Sequence, residues 1–378
     1  MGFISAAEIG FPGRVRFGQG PDNMAKQDFF KRSGKQGRDL VESSWVESLD
    51  SLPWGWRDRQ APGVYAVSRT ADTGFFQYTC GPHSWKRYLY PPNMRFFSVS
   101  LEDGGIQLEQ TGRPDLSYAF LGMRACDLKA LAVLDRVLAE QGCPDPDYQA
   151  LRRNLFIIAV NCLQPGGTCF CAAMGAGPRP VSGYDIVLHE ICEPARYRLI
   201  AESGSPRGAD LLSAVGCMPA SMAAKVHVQL LSDAAAKKMK TTADLSDAGS
   251  LFGSRFDHPH WKTLEQRCLA CGNCTLVCPT CFCHTVGETE FVEEGRAQRH
   301  RQWDSCFSKT FSYMHGGSIR TSIASRYRDI KAIIRADRGE TPLPQGAGQR
   351  GDVQWRPFFN KSASIHFSKD SPKHCSRG

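Results

Sequence analysis

The sequence has no long hydrophobic run and no dense cluster of charge of one sign. None of its apolar stretches approaches the roughly eighteen residues that a membrane-spanning helix needs, and no charged segment followed by an apolar one opens the chain. We therefore expect neither a membrane span nor export. The net charge is +8, but the basic residues are scattered and form no stripe interleaved with aromatic residues, so we expect no nucleic-acid partner.

Cysteine, by contrast, is abundant. The chain has 16 cysteines in 378 residues, and many of them stand in the closely spaced pairs that are typical of metal ligands. A chain of this length with 42% hydrophobic residues can bury a core without disulfide staples. We therefore predict a cytoplasmic protein of two or three domains whose cysteines are kept reduced.

The densest group of cysteines has the spacing C-x2-C-x2-C-x3-C-P. Its members are Cys268, Cys271, Cys274 and Cys278, followed by Pro279. The two-residue gaps form a tight turn whose sulfurs converge, and the three-residue gap carries the fourth sulfur onto a short helical turn. This spacing predicts a 4Fe-4S cluster, and therefore electron transfer. Zinc is the weaker interpretation, because zinc ribbons separate two such pairs by about a dozen residues or more.

A second group of cysteines begins in a predicted βαβ unit. Apolar runs from Tyr118 to Met123 and from Leu155 to Val160 predict two buried strands, and leucines at helical spacing between them predict a helix with Asp127 as its N-cap. A right-handed crossover would make the strands parallel. Cys126 and Cys162, which follow the two strands, would then leave the same edge of the sheet, where α/β proteins place their sites.

Two more cysteines lie in the loop after the second strand. Cys169 and Cys171 follow a Pro-Gly-Gly turn at residues 165–167, which can bring them back toward the strand end. At Cys126, the helix N-terminus and Arg124 would favour the thiolate. We predict a second 4Fe-4S cluster bound by Cys126, Cys162, Cys169 and Cys171. The alternatives are a catalytic dithiol or zinc site, and buried cysteines that act as small hydrophobic residues.

Several stretches of the chain share the pattern of one known family. They are Gly81 to Arg87, Arg124 to Leu128, Pro165 to Cys171, Cys268 to Cys283, and Trp303 to Cys306 with His315 to Ser318. Together they resemble the iron–sulfur electron-transfer family that contains the sulfhydrogenase beta subunits and the corresponding iron–sulfur subunits of anaerobic sulfite reductases. The resemblance covers roughly residues 45–330.

The resemblance implies an electron-transfer subunit of an oxidoreductase complex. Its partners would be a flavoprotein subunit that binds NAD(P)H and a catalytic subunit, either a nickel–iron hydrogenase or a sirohaem sulfite reductase. Substrate chemistry would take place in those other chains. The rival interpretation from another class is a redox-sensing or zinc-binding interaction module.

The predicted fold is an α/β sheet domain followed by a mostly helical, ferredoxin-like 4Fe-4S domain. We assign residues 1–44 to a divergent, poorly ordered N-terminus and residues 45–204 to the α/β domain with its cysteine-rich loop. Residues 205–330 form the helical linker and the 4Fe-4S domain, and residues 331–378 form a divergent, disordered tail.

The chain departs from the family pattern after residue 330. A second cysteine motif is expected there, but Cys375 is the only cysteine beyond that point. We therefore expect a truncated or frameshifted C-terminus, and one cluster rather than two between residues 268 and 306. The fourth cysteine of each run in a two-cluster ferredoxin ligates the other cluster. The fourth ligand of this cluster consequently stays open among Cys278, Cys281, Cys283 and Cys306; for Cys306, a buried structural role is the alternative.

Overall fold

The fold is known from a computed structural model. It describes residues 3–6, 52, 54–70, 74–79, 84–102, 105–111, 117–140, 143–193, 196–240, 258–311, 313–318 and 320–329. The predictions for residues 1–44 and 331–378 fall almost wholly outside these ranges, although Phe3–Ala6 forms a strand. No helix in the described part of the chain is both long enough and apolar enough to cross a membrane.

The described residues form both strands and α-helices. The strands are β1 Phe3–Ala6, β2 Trp56–Ala61, β3 Val64–Arg69, β4 Asn93–Glu102, β5 Gly105–Gln110, β6 Ala119–Met123, β7 Phe156–Val160, β8 Ile186–Glu193, β9 Arg196–Ser203, β10 Met218–Pro219, β11 His284–Phe291, β12 Arg296–Trp303, β13 Tyr313–Met314 and β14 Gly317–Ser318. The α-helices are α1 Lys86–Leu89, α2 Ala125–Asp135, α3 Pro146–Arg153, α4 Pro206–Ala214, α5 Met222–Lys238, α6 His260–Arg267, α7 Asn273–Val277 and α8 Ile323–Asp329.

A six-stranded sheet forms the α/β part, with the strand order β10-β1-β9-β8-β7-β6. Strands β6, β7 and β8 are parallel, and the pairs from β8 to β10 are antiparallel. The predicted βαβ unit is therefore confirmed, and β6 and β7 end at the same edge of the sheet. The crossover helix α2 buries the leucines that the sequence spaced along one face, among them Leu128, Leu131 and Leu134.

The start of α2 differs from the sequence-based prediction. The helix begins at Ala125, and the carboxylate of Asp127 accepts a hydrogen bond from the backbone N–H of Arg124 at 2.8 Å. Asp127 is thus the third residue of the helix, and its side chain reaches back to satisfy an N–H group at the helix start. Cys126 consequently lies inside the first turn and does not precede the helix.

The C-terminal part is not the mostly helical domain that was predicted. Between helices α7 and α8 the chain forms the antiparallel hairpin β11-β12, and β12 pairs with β4 in a four-stranded sheet of order β11-β12-β4-β5. Both strands of this hairpin are rich in polar residues, so their pattern did not predict a buried sheet. The division of the chain at residues 204/205 stays a prediction, and the described strands pair across that boundary.

A buried ion pair fastens β12 to the α/β part. The guanidinium group of Arg301 contacts the carboxylate of Asp145, and the two side chains are 4% and 9% exposed. Asp145 is also the N-cap of α3, where it accepts hydrogen bonds from the N–H groups of Asp147 and Tyr148. Arg301 lies 4.1 Å from the ring centroid of Tyr90. These contacts hold the second sheet against the helices of the first.

Candidate metal centre

The first group of predicted ligands lies at the edge of the six-stranded sheet where β6 and β7 end. Cys126 is in the first turn of α2 and has exposed surface, Cys162 is buried just after β7, and Cys169 and Cys171 are half-buried in the loop that follows. Electrostatic interactions link Cys162 to each of the other three thiols. The structure therefore brings the four predicted residues to one edge.

Close packing of glycine shapes the loop that carries Cys169 and Cys171. A Cβ atom on Gly167 would collide with the backbone carbonyl oxygen of Gln60 in β2. A Cβ atom on Gly177 would lie 2.9 Å from Cβ of Ala125 and 3.3 Å from Sγ of Cys171. Only glycine permits these approaches. The first holds the turn against β2, and the second holds the loop against the start of α2.

The protonation of Cys126 differs from the prediction. Desolvation of the thiol by the surrounding protein raises the pKa of Cys126 well above its ordinary value. The negative charges of Asp127, Cys171 and Cys162 raise the pKa further, and the positive charge of Arg124 lowers it. The guanidinium group of Arg124 is engaged elsewhere, because it donates hydrogen bonds to the carbonyl oxygens of Phe76 and Tyr78. The thiol, and not the thiolate, is therefore the favoured form.

The ferredoxin-type spacing forms a compact loop between α6 and α7. Cys268 caps the end of α6, and its sulfur accepts a hydrogen bond from the N–H of Ala270 at 3.3 Å. Ala270, in the first gap of the motif, and Gly272, in the second, have positive φ angles of 52° and 75°, which turn the chain sharply at both places. Cys274 interacts electrostatically with Cys268 and Cys271. We call Cys268, Cys271 and Cys274 the tripod.

A residue that sequence reasoning missed lies beside the tripod. The hydroxyl of Tyr327, in α8, hydrogen-bonds to the sulfur of Cys268, which raises the pKa of Tyr327 to about 12. The ring of Tyr327 packs edge-on against Phe307, with 4.9 Å between the ring centroids. Tyr327 is distant in sequence from the cysteine motif, so no local spacing could have indicated this contact.

Cys278, the fourth cysteine of the motif, makes its side-chain contact outside the tripod. A hydrogen bond from the thiol of Cys281 lowers the pKa of Cys278 to about 5, and burial opposes that shift. Cys306 similarly hydrogen-bonds to Cys283 and lowers its pKa. Cys281 and Cys283 also interact electrostatically. We call Cys278, Cys281, Cys283 and Cys306 the loop group.

Lys86, which the sequence alone did not single out as functional, holds the backbone of this region. It is 5% exposed, and its Nζ donates hydrogen bonds to the carbonyl oxygens of Cys278 at 3.0 Å and Cys281 at 2.9 Å. Burial lowers the pKa of Lys86, and the nearby thiols of the loop group raise it. Arg320 is also buried and lowers the pKa of Cys283. Basic groups therefore lie next to the loop group.

The cysteines suit iron–sulfur chemistry by their donor type. Thiolates are the ligands of cubane clusters, in which each of four cysteines binds a separate iron at a corner of the cube. Within the ranges that the structure describes, no three His, Cys, Asp or Glu side chains gather into a group that could hold a metal ion. The thiols are thus grouped in three neighbourhoods without closing around a single point.

Comparison with known proteins agrees with this chemistry. A family profile described as a 4Fe-4S dicluster domain matches residues 267–337. Sulfhydrogenase 2 subunit beta of Pyrococcus furiosus is 30% identical over 217 residues, which are 57% of this chain and 63% of that protein. The resemblance to the sulfhydrogenase beta-subunit family is confirmed. No solved structure matches the chain.

The two matches support 4Fe-4S clusters as cofactors and an iron–sulfur electron-transfer role within an oxidoreductase. The chain spans less than two thirds of the relative, at 63% of its length. The further resemblance to anaerobic sulfite reductases, the individual ligands and the cytoplasmic location stay predictions.

Proposed function

We propose that this chain is the iron–sulfur subunit that relays electrons between a flavoprotein subunit that binds NAD(P)H and a hydrogenase or sirohaem sulfite reductase subunit. The observation that carries the proposal is the coincidence of the dicluster profile, at residues 267–337, with the tripod and the loop group. The relative's name describes a sulfhydrogenase subunit, which favours the hydrogenase as the catalytic partner.

The tripod provides three ligands of a first cluster. The ferredoxin spacing predicts that Cys278 is the fourth ligand. The interaction between Cys278 and Cys281, however, supports grouping the side chain of Cys278 with the loop group. Tyr327 can donate its hydroxyl hydrogen bond to the sulfur of Cys268. Hydrogen bonds to ligating sulfurs stabilise the reduced form of a cluster and so raise its potential.

The edge of the six-stranded sheet provides the ligands of a second cluster. We propose that Cys126, Cys162, Cys169 and Cys171 bind it, because strand ends and a tightly packed glycine turn bring them to one edge. Each bound cluster supplies one-electron transfer. The chain's own residues fix the ligands and exclude water from Cys162, which is buried.

The division of labour between subunits is tested with the purified full chain. Anaerobically purified protein should be brown, contain iron and sulfide, and be reduced by dithionite. NAD(P)H should reduce it only when the flavoprotein subunit is added. Reduction by NAD(P)H alone would overturn the division of labour, and a colourless protein that contains zinc would support the interaction module instead.

A further inference from the structure

We propose that the outward face of helix α5 pairs two copies of this chain, in an antiparallel contact about a two-fold axis. The helix spans Met222–Lys238 and is about 25 Å long. The proposal goes beyond electron relay, and it does not depend on whether a cluster is bound. The sequence analysis assigned no function to this surface.

The first argument is that α5 is apolar on both of its faces. One face packs on the six-stranded sheet, where Ala224 and Val228 share a cluster with Ile191 of β8 and Ile200 of β9. A helix that lies on a sheet ordinarily carries polar residues on its opposite face. On α5, the exposed face instead presents a row of large apolar side chains.

The row is formed by Met222, Val226 and Leu230, which are four residues apart and therefore lie along one side of the helix. They are 72%, 52% and 61% exposed, and the exposed Ala234 continues the row at the next turn. Met218, in the adjoining strand β10, is 62% exposed. Large exposed apolar patches are rare on monomeric proteins and mark sites of association. We call Met222, Val226, Leu230 and Ala234 the apolar row.

The second argument is that the apolar row is complementary to itself. An antiparallel copy placed about a two-fold axis at Gln229 interleaves the two rows, with a side chain from alternate copies about every 3 Å along the helix. Val226 of one copy then lies between Ala234 and Leu230 of the other. Both copies use the same surface, as a two-fold contact requires. The row can therefore be covered by a second copy of itself.

The third argument is charge, which selects the same axis. Lys225, Gln229 and Asp233 form the adjoining row of the helix, again four residues apart. A two-fold axis at Gln229 brings Lys225 of each copy level with Asp233 of the other, whereas a parallel pair would set like charges level with each other. Gln229 donates a hydrogen bond to the carboxylate of Asp233 at 2.8 Å, which orients the carboxylate along this row. Arg179 also contacts Gln229, and Glu202 compensates its charge at 3.0 Å.

The test is the oligomeric state of the purified full chain, measured with a reductant present so that exposed thiols cannot cross-link two copies. A contact made by one helix from each copy is smaller than the standard interface of about 1,600 Å², so we expect a dimer that dissociates near micromolar concentration. Sedimentation velocity between about 1 and 100 µM should show the transition. L230E buries two unpaired carboxylates and should leave only monomer. L108E, at a site on β5 that is 66% exposed, should dimerise like the wild type.

An exchange of charges tests the orientation of the two copies. K225E sets two carboxylates level with each other at both ends of the contact, D233K does the same with two ammonium groups, and each should weaken the dimer about tenfold. The double variant K225E/D233K restores opposite charges and should recover the lost affinity. An equimolar mixture of K225E and D233K should form a heterodimer that is tighter than either homodimer. Native mass spectrometry with a tag on one variant detects it.

Three results would overturn the inference. They are a wild-type chain that stays monomeric at every concentration, an L230E variant that dimerises as L108E does, and a double variant or mixture no tighter than the single variants. The first result would mean that another subunit, or another segment of this chain, covers the apolar row. Far-UV circular dichroism shows whether each variant is folded; if L230E is not, the charge variants carry the comparison. A chain that dimerises but binds no iron would refute the proposed function and leave this inference standing.

Discussion

The ammonium nitrogen of Lys86 lies 4.0 Å from the ring centroid of Trp303. Lys86 is in α1 and Trp303 ends β12, and the indole N–H donates to the carbonyl oxygen of Tyr90 at 3.0 Å. The cation thus lies between an aromatic face and the carbonyl oxygens of Cys278 and Cys281. A buried charge can be held in this way because ring, carbonyls and thiols all present negative potential to it.

Replacing Lys86 with methionine should destabilise the loop at residues 278–283 and lower the reduction potential of the neighbouring ferredoxin-type cluster. The substitution leaves the buried carbonyl oxygens of Cys278 and Cys281 without their donor, a cost of about 1–3 kcal/mol. It also removes a positive charge that favours electron uptake. Chemical denaturation and an EPR-monitored redox titration measure the two effects. Lys237→Met, on the exposed side of α5, should change neither, and an unaltered K86M would refute the role of the charge.

Arg301→Met should weaken the attachment of β12 far more than Arg299→Met on the same strand. Arg301 and Asp145 form a buried pair, and removing one partner of such a pair costs about 3–5 kcal/mol. Arg299 pairs with Glu288 at 3.4 Å, where Glu288 is 64% exposed, so its loss should cost less than about 1 kcal/mol. Urea unfolding compares the variants. Equal losses would show that the buried pair has no special importance.

Gly167→Ala should disrupt the loop that carries Cys169 and Cys171, whereas Gly166→Ala should be milder. A methyl group on Gly167 meets backbone, the carbonyl oxygen of Gln60, while one on Gly166 meets the movable side chain of Gln60 at 2.7 Å. Overpacking against backbone costs about 1–3 kcal/mol. Thermal unfolding and iron content distinguish the two variants. A G167A protein as stable as G166A would contradict this account of the turn.

Acid should weaken the six-stranded sheet through Glu202. Burial raises the pKa of Glu202, but the imidazole of His189, 3.5 Å away, and the hydrogen bond that Arg179 donates at 3.0 Å outweigh it, so the pKa lies below the ordinary value of 4.5. The folded pKa is lower than the unfolded one, so the stabilisation is present above the unfolded value and is lost as the pH falls through the folded one. The melting temperature should therefore fall less steeply between about pH 7 and pH 3 for Glu202→Gln than for wild type. Glu288→Gln, at an exposed site, should follow wild type.

The βαβ unit could be predicted because its signals are local. Apolar runs, leucines at helical spacing and the cysteines at two strand ends all lie within one short stretch, and the parallel pair β6-β7 confirms them. The ferredoxin spacing was equally local. The predicted start of α2 is too late because aspartate is favoured both as the N-cap before a helix and as the third helical residue, where its side chain reaches back to the N-cap. Asp127 has the second role.

The hairpin β11-β12 and the role of Lys86 could not be predicted, because both depend on distant partners. Arg296–Trp303 contains mainly polar residues, and it becomes a central strand only by pairing with β4. Lys86 contacts the carbonyl oxygen of Cys278 from a site nearly two hundred residues earlier in the chain. Side chains that act through such contacts carry no periodic signal in the sequence.

The pairing of β4 with β12 has a consequence for synthesis of the protein on the ribosome. Strand β4 and its partner β5 leave the ribosome long before residues 296–303 are translated. The edge of β4 that will pair with β12 therefore has no neighbouring strand during that time. An open edge of this kind readily recruits strands of other chains. Nascent protein that stops short of β12 should therefore be prone to aggregation, even though the cysteines at positions 268 to 283 have already been translated.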